Sequence, residues 1–270
     1  MTIDLEALYT DLHQHPELSF QETRTAGIAA GHLRDLGLEV HEGIGVTGVV
    51  GILRNGEGPV VWARADMDAL PVGEETGLAY ASTATGIDPA GNTVPVMHAC
   101  GHDMHVTAMI GAVEKLVAEK ADWSGTVVVL IQPAEEYGAG SRAMLDAGLR
   151  DLVPHPDVVL GQHVTPLPAG TIGVRPGTQM AASDGLTVVL HGRGGHGSRP
   201  HSTIDPVVMA AATVMRLQTI TSREVDPRDV AVVTVGSIHA GLKNNIIPAE
   251  AKLELSLRYP TDEMRDKVLA

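Results

Sequence analysis

Residues 98–136 read "HACGHDMHVTAMIGAVEKLVAEKADWSGTVVVLIQPAEE", a stretch that combines a helix pattern and a strand pattern with a dense group of chemically active side chains. Its middle part, "HVTAMIGAVEKLVAEK", has apolar residues at helical spacing, and "TVVVLIQ" after it is an apolar run typical of a buried strand. The helix is preceded by "HACGHDMH" and the strand is followed by "PAEE". Chemically active side chains therefore flank a helix and strand unit on both sides, which favours an α/β protein with its site at one edge of a sheet.

The flanking segments repeat the alternation of helix and strand. "SFQETRTAGIAAGHLRDLG" is predicted to be a helix, with Ser19 and Glu22 as a capping box and Gly37 at its end. "VTGVVGILRNGEGPVVWARADMDALP" predicts two strands joined as a hairpin at Asn55-Gly56. "GSRAMLDAGL" is predicted to be a short helix and "DVVLGQHV" a buried strand. This alternation predicts a mainly parallel sheet.

The pattern restarts after residue 177. The strand "GLTVVLHG", the helix "PVVMAAATVMRLQTI", the strands "VAVVTVGSI" and "AKLELSLRY", and the helical "TDEMRDKVLA" follow one another. We therefore predict two domains, a larger α/β domain at 1–177 and a smaller α+β domain at 178–270. The chain ends inside a helical pattern that carries no stop signal, so we expect it to be truncated at its C-terminus.

Composition excludes several classes of protein. The formal net charge of −14, without a basic stripe, argues against a nucleic-acid partner. No run of 18 apolar residues is present to span a membrane. The single cysteine cannot form an intrachain disulfide, and the N-terminus does not resemble a signal peptide. We therefore expect a cytoplasmic protein.

Three predicted strands end in polar side chains that sheet topology would bring to one edge. Each such side chain is ordinary by itself, but together their charged forms would repel one another unless cations bound among them. The thiol and imidazoles of "HACGHDMH" are predicted to join them. The residues concerned are Asp66, Asp68, Cys100, His102, Glu135, Glu136 and His163.

The motifs "RADMDALP", "MHACGHDMH", "QPAEE", "GQHV", "GRGGHGSRPH" and "NNIIPAEAKLELSLR" occur in a characteristic order and spacing. In them the chain resembles the amidohydrolase branch of the aminoacylase/carboxypeptidase metallopeptidase superfamily, which includes hippurate hydrolases. The resemblance implies a mainly parallel-sheet catalytic domain with an inserted α+β dimerisation or lid domain. It also implies a homodimeric enzyme that hydrolyses N-acyl amino acids to a carboxylic acid and a free amino acid.

Carried over by position, the resemblance implies two divalent metal ions, and Mn, Zn, Co and Ni remain open. It implies Glu135 as the general base and Asp68 as a carboxylate that orients a ligand. Two roles remain open for His98, Asp103 and His105: each could support a metal ligand, or each could be purely structural. The implied metal ligands are Cys100, His102, Glu136 and His163.

The second domain is expected to add groups to the reaction. The resemblance implies that His196, in a glycine-rich loop, reaches across a dimer interface and stabilises the oxyanion in the other subunit. Asn245 and Arg258 resemble positions near the substrate, and the guanidinium suits a substrate carboxylate.

Three alternatives stay open. The stretch "GRGGHG" at 192–197 fits a dinucleotide-binding fingerprint, but the next helix starts late, behind Pro200 and Pro206. A nucleophilic Cys100 with His102 as its base is disfavoured, because residues two apart seldom align for proton transfer. A metal-binding but inactive protein is the third, since family members continue beyond this chain's length and supply a further histidine ligand there.

Overall fold

The computed structural model describes residues 2–270 and divides into two units, one ending at Leu167 and the other spanning Pro168–Ala270. The helices of the first unit are α1 (Leu5–Gln14), α2 (Thr23–Asp35), α3 (His102–Ala118), α4 (Gly140–Asp146) and α5 (Leu149–Leu152), with a 3₁₀ turn at Lys120–Asp122. Its strands are β1 (Glu39–Ile44), β2 (Gly48–Asn55), β3 (Val60–Asp66), β4 (Thr85–Ile87), β5 (Thr93–Pro95), β6 (Gly125–Gln132) and β7 (Val158–Gly161).

A five-stranded sheet in the order β1-β2-β6-β3-β7 organises the first unit. β6, β3 and β7 are parallel to one another, whereas β1 and β2 run antiparallel at one side. Side chains of β6 alternate between two cores: Val129 and Ile131 pack with α1, α2 and α3, and Val128 and Leu130 pack with α4 and α5. The sheet is therefore buried on both faces, which explains the continuous apolar run of β6.

The predicted hairpin at Asn55-Gly56 is wrong. β2 and β3 each pair with β6, which lies between them, so the connection crosses over one strand. The Asn55 side chain donates instead to the carbonyls of Lys120 and Trp123, at 2.7 and 2.6 Å, and so ties the turn to the segment before β6. The most apolar strand takes the central position, because there both faces are covered.

The capping box predicted at Ser19 and Glu22 does not form either. α2 begins at Thr23, and Glu17 accepts from the backbone N–H groups of Arg24 and Thr25 at 2.9 and 2.7 Å. Ser19 and Glu22 are buried and hydrogen-bond to distant residues. The helix end predicted at Gly37 is confirmed, since α2 stops at Asp35 and Gly37 has a φ of +83°.

β7 is an edge strand, not the buried strand predicted from "DVVLGQHV". It pairs with β3 on one side, and Val158, Val159 and Leu160 are 47, 60 and 54% exposed. The apolar composition of β7 therefore does not correspond to burial within this chain. An uncovered apolar edge is a surface that other polypeptide segments can pair with.

The elements of the second unit are β8 (Ala182–His191), β9 (Gly195–His196), α6 (Pro206–Thr219), β10 (Val232–Ala240), β11 (Ile246–Ile247), β12 (Glu250–Tyr259) and α7 (Asp262–Leu269), with a 3₁₀ turn at Pro200–Ser202 and a π-helical turn at Ile220–Glu224. β10, β12 and β8 form an antiparallel sheet in that order, as the alternating apolar residues of β12 indicate. Leu253 and Leu255 pack with Ala210 of α6. The strands and helices predicted here are confirmed, whereas the boundary near residue 178 and the role of each domain stay predictions.

The helices in residues 2–270 are each too short or too polar to cross a bilayer.

Candidate metal centre

The chemically active side chains gather where β3, β6 and β7 end. β3 ends at Asp66, β6 at Gln132 and β7 at Gly161, and because the three strands are parallel, these ends lie at one edge. α3 begins at His102 beside the same edge, after Gly101 with a φ of +78°. A Cβ on Gly101 would lie 2.5 Å from Val164 Cγ2, so glycine is required for close approach of the segment that carries His163.

The structure brings the predicted metal ligands together around His102. Candidate donor atoms lie within 4.8 Å of one another in the groups Cys100, His102, His163 and His102, Glu135, Glu136. Cys100 Sγ is 3.4 Å from His163 Nε2, and His102 Nε2 is 4.0 Å from Glu136 Oε1. His102 is fully buried and shared by both groups, so it is the centre of the cluster.

Unpartnered atoms show that this cluster fits a divalent cation. Among the described residues, His102 Nε2 and Glu136 Oε1 are buried without a hydrogen-bond partner. Buried polar atoms are normally paired, so atoms left over in one cluster point to a ligand that they hold. Thiolate, imidazole and carboxylate donors together suit zinc and neighbouring transition metals better than magnesium.

His163 is in the tautomer of a ligand. Its Nδ1–H donates to the backbone carbonyl of Val164 at 2.7 Å, which leaves the Nε2 lone pair directed toward Cys100.

His105 has no nitrogen left to bind a metal. Its Nδ1–H donates to Asp66 Oδ1 at 2.5 Å, and its Nε2 accepts from the backbone N–H of Val164 at 2.9 Å. Asp66 Oδ2 in turn lies 2.9 Å from Arg64 Nη1. His105 therefore connects the end of β3 to the segment that carries His163, although Asp66, His102 and His105 are also close enough to form a donor group.

Asp68 holds the backbone of both glutamates. Its carboxylate accepts from the N–H groups of Glu135 and Glu136, each at 3.0 Å, and from Ser19 Oγ at 2.6 Å. Its Oδ1 also lies 3.3 Å from His102 Nδ1. Burial raises the pKa of Asp68, but the contacts with His102 and these donors outweigh it, so the pKa is below its ordinary value and the carboxylate is charged.

The neighbouring acids hold their protons more tightly than usual. Burial, together with the charge of Glu136, raises the pKa of Cys100 to about 12, and burial also raises the pKa of Glu136. A cation bound among them would favour the deprotonated form of both groups.

His98 and Asp103 lie behind the cluster. Burial lowers the pKa of His98 to about 4, so this imidazole is neutral. Asp103 accepts from His13 Nδ1 at 2.6 Å, and His13 Nε2 lies 3.1 Å from Glu74 Oε1. His13, Ser19 and Glu22 were not predicted as part of the site, because their contacts join residues far apart in the chain.

Within the second unit, the structure brings His196 and Asn245 together but not Arg258. His196 on β9 pairs with Ile246 on β11, and Gly197 N donates to Asn245 O at 2.8 Å. Arg258 lies near the far end of β12, eight residues from Glu250 and so about 26 Å along the strand. Gly194 and Gly197 pack against Ile247 and Asn245, and Gly192 packs against Ile204 and Pro206. α6 begins only at Pro206, after the 3₁₀ turn at Pro200–Ser202, whereas a dinucleotide-binding fingerprint opens its helix directly, which argues against dinucleotide binding.

Comparison with known proteins connects this arrangement to a family. The sequence profile of peptidase family M20/M25/M40 matches residues 62–261. Thermostable carboxypeptidase 1 of Saccharolobus solfataricus is 41% identical over 261 residues, covering 95% of this chain. Hippurate hydrolase of Campylobacter jejuni is 39% identical over 264 residues, covering 97% of this chain and 66% of the hydrolase.

A solved structure shares the fold. The Bacillus subtilis YXEP protein, described as a dinuclear metal binding peptidase from the M20 family, superposes with a TM-score of 0.75 at 36% identity. The match covers 98% of this chain and 66% of the YXEP protein. This chain spans 63% of the length of the carboxypeptidase.

Proposed function

Because this chain belongs to peptidase family M20/M25/M40, and within it to the amidohydrolase branch, we propose that it is a metal-dependent amidohydrolase of N-acyl amino acids. It hydrolyses the amide bond to a carboxylic acid and a free amino acid. The observation that carries the proposal is the cluster of thiol, imidazole and carboxylate donors at the carboxyl edge of the sheet, in which His102 and Glu136 have buried atoms without a hydrogen-bond partner.

In this proposal Cys100, His102, Glu136 and His163 hold two divalent ions, and Mn, Zn, Co and Ni all remain candidates. When bound, two such ions would supply an acidified water and polarise the amide carbonyl. Asp68 fixes the backbone of both glutamates and lies beside His102, so it sets their geometry.

Glu135 acts as the general base. It is half-buried and neighbours Glu136, and its carboxylate lies within 4.8 Å of the donor atoms of His102 and Glu136. It accepts the proton of the attacking water and returns that proton to the leaving amine, because amine expulsion requires protonation of the nitrogen. In this proposal Glu135 transfers the proton and Glu136 binds metal.

The second unit contributes from a partner subunit in a homodimer. His196 is exposed on its short strand, which suits an imidazole that reaches another molecule and donates to the oxyanion. Asn245 lies beside it and contacts the substrate. Arg258 belongs to the proposal as a carboxylate-binding group, although it lies at the other end of β12.

The names of the relatives guide the choice of substrate. A carboxypeptidase and a hippurate hydrolase both cleave an amide next to an amino acid that has a free carboxylate. We therefore expect a free α-carboxylate to be required, and we place the enzyme in the cytoplasm, where such small acids occur.

The test is a hydrolysis assay on protein loaded with Mn²⁺, Zn²⁺, Co²⁺ or Ni²⁺. The substrates are N-benzoylglycine, N-acetylamino acids, a dipeptide and the methyl ester of N-benzoylglycine. Turnover of the free acids but not of the ester, abolished by chelation and restored by metal, supports the proposal. Turnover that survives complete metal removal contradicts it, and metal binding without turnover favours an inactive metal-binding protein.

A further inference from the structure

Non-glycine residues with left-handed backbone are rare, and in residues 2–270 they are Phe20, Val46 and Ala134, with φ values of +63°, +89° and +46°. Each costs roughly 1 to 2 kcal/mol relative to an ordinary conformation, so the surrounding structure must hold it in place. They are far apart in sequence, on the segment before α2, the β1 to β2 turn and the segment after β6.

Phe20, Ala134 and the residue after Val46 all donate hydrogen bonds to Glu22. Its Oε1 accepts from the backbone N–H groups of Phe20 and Ala134, at 2.9 and 2.8 Å. Its Oε2 accepts from the hydroxyl of Thr47, the residue after Val46, at 2.5 Å. Glu22 is completely buried, so water does not compete for these contacts.

Ala134 immediately precedes the two glutamates of the site. The N–H of Ala134 is held by Glu22, and the N–H groups of Glu135 and Glu136 are held by Asp68. Three consecutive peptide groups are therefore fixed by two buried carboxylates, and the left-handed turn at Ala134 sets the direction in which the glutamates leave β6.

We propose that Glu22 is a positioning residue for the Glu135–Glu136 pair, acting through the backbone of Ala134. The proposal rests on the proposed function for the roles of the two glutamates, but the geometry that it explains is independent of turnover. In this proposal Glu22 does not contact the substrate. It stabilises the left-handed conformation of Ala134, which an alanine would not otherwise adopt.

The proposal predicts that hydrogen-bond acceptance matters and that charge does not. In Glu22→Gln, the amide oxygen still accepts from Phe20 and Ala134, and the amide N–H₂ can donate to the Thr47 hydroxyl. In Glu22→Met, the two backbone N–H groups lose their acceptor in a buried place.

Glu17 provides a matched control at the same end of α2. Its carboxylate also accepts from two backbone N–H groups, those of Arg24 and Thr25, but it has no contact with Ala134. Glu17→Met therefore weakens the helix start without acting on the glutamates.

The experiment measures Co²⁺ affinity and the visible d–d spectrum of bound Co²⁺ in each variant, and kcat and KM for N-benzoylglycine. We expect Glu22→Met to weaken Co²⁺ binding and to lower kcat by about 10- to 100-fold, the usual cost of removing a group that supports a metal ligand. KM changes little. Glu22→Gln and Glu17→Met should keep the wild-type affinity and spectrum.

Ala134→Gly gives the decisive rescue. Glycine adopts the left-handed conformation without strain, so adding Ala134→Gly to Glu22→Met should bring the Co²⁺ affinity back to within about threefold of the wild-type value. If Glu22→Met does not fold, Thr47→Val, which removes one donor from Glu22, replaces it and should shift affinity and kcat in the same direction by a smaller factor.

Equal Co²⁺ affinities and spectra in the folded Glu22 or Thr47 variant and in Glu17→Met would overturn the inference. So would a loss that Ala134→Gly does not repair. A wild type that binds Co²⁺ but hydrolyses no substrate would overturn the proposed function alone, and the affinities would still decide the role of Glu22. A wild type that does not bind Co²⁺ would overturn both.

Discussion

At the scale of single residues, the two adjacent glutamates differ in their surroundings. Glu136 has a buried oxygen without a partner and lies 4.0 Å from the buried His102. The carboxylate of Glu135 lies within 4.8 Å of the donor atoms of both residues, but neither of its oxygens is buried without a partner. The turn that carries these two adjacent glutamates therefore places their carboxylates in different environments.

Substitution of each glutamate by glutamine separates these roles. Glu135→Gln should keep its bound metal and lose about a hundredfold or more in kcat, because an amide keeps the shape but cannot accept the water's proton. Glu136→Gln should lose metal occupancy as well. Metal content by mass spectrometry and turnover of N-benzoylglycine are measured together, and equal metal loss in both variants would contradict the assignment.

His13 carries a charge-dependent contribution to stability. Burial would lower the pKa of His13, but hydrogen bonds to Glu74 and Asp103 outweigh it, so the pKa is above 6.5. The rings of Tyr9 and Tyr80 cover the remaining sides of the imidazole. Because the folded-state pKa is raised, the stabilisation is complete below pH 6.5 and is lost as the pH rises through the folded-state value.

We expect His13→Gln to lower the free energy of unfolding at pH 6 by about 3 kcal/mol, since two buried carboxylates lose their cation. The loss should shrink as the pH rises above the pKa of His13. His15→Gln is the control, because His15 is exposed at the end of the same helix. Urea unfolding from pH 5 to 9 measures the effect, and parallel pH profiles for wild type and His13→Gln would refute it.

The candidate site residues could be found from sequence because they follow a recognisable strand or lie at the start of a helix. Asp68, Glu135 and His163 stand just beyond apolar runs, and His102 opens a helix. Their supports could not be found in this way. Glu22 and Ala134 are 112 residues apart, and the local pattern around Ser19 and Glu22 indicated a helix cap instead.

At the scale of elements, the turn between β6 and α4 is shaped by close backbone approach. The N–H groups of Ala139 and Gly140 both donate to the carbonyl of Ala134, which closes a loop around the two glutamates. A Cβ on Gly140 would lie 1.6 Å from the carbonyl oxygen of Pro133.

Gly140→Ala should therefore open this turn. We expect destabilisation of about 3 kcal/mol or more, together with loss of metal binding, because a clash with backbone cannot be relieved by a rotamer change. Gly138→Ala is the matched control in the same turn: nothing lies within 4 Å of its Cβ, so only its φ of +61° opposes the change, at about 1 kcal/mol. Thermal unfolding and Co²⁺ titration distinguish the two, and equal effects would contradict the clash.

Element types were predictable because they follow local periodicity, but strand neighbours were not. An Asn-Gly turn between two apolar strands indicated a hairpin, and the pairing of both strands with β6 was decided by a strand about 60 residues further along the chain. The exposure of β7 could not be predicted for a related reason. Apolar composition indicates that a strand tends to be buried, but it does not show which other segment would cover it.

At the scale of the whole molecule, the homodimer can be tested by mixing inactive subunits. His196→Ala and Glu135→Gln should each be nearly inactive, because the first loses the oxyanion donor and the second the base. If His196 serves the partner's site, mixed dimers contain one working site. Random mixing gives about half mixed dimers, so roughly a quarter of wild-type activity should return.

Subunit exchange must be verified by mass in the same samples. Verified exchange without recovered activity would place His196 in its own subunit's site or outside catalysis.

Both tryptophans of the chain belong to the first unit. Trp62 is 7% exposed and donates from Nε1 to the carbonyl of Pro154, and Trp123 donates to the carbonyl of Leu116. Indole fluorescence therefore reports the unfolding of the first unit, whose sheet carries the candidate metal ligands, and does not report the unfolding of the second unit. Circular dichroism detects the helices of both units. The difference between the two melting curves is a direct optical measure of how far the two units unfold together.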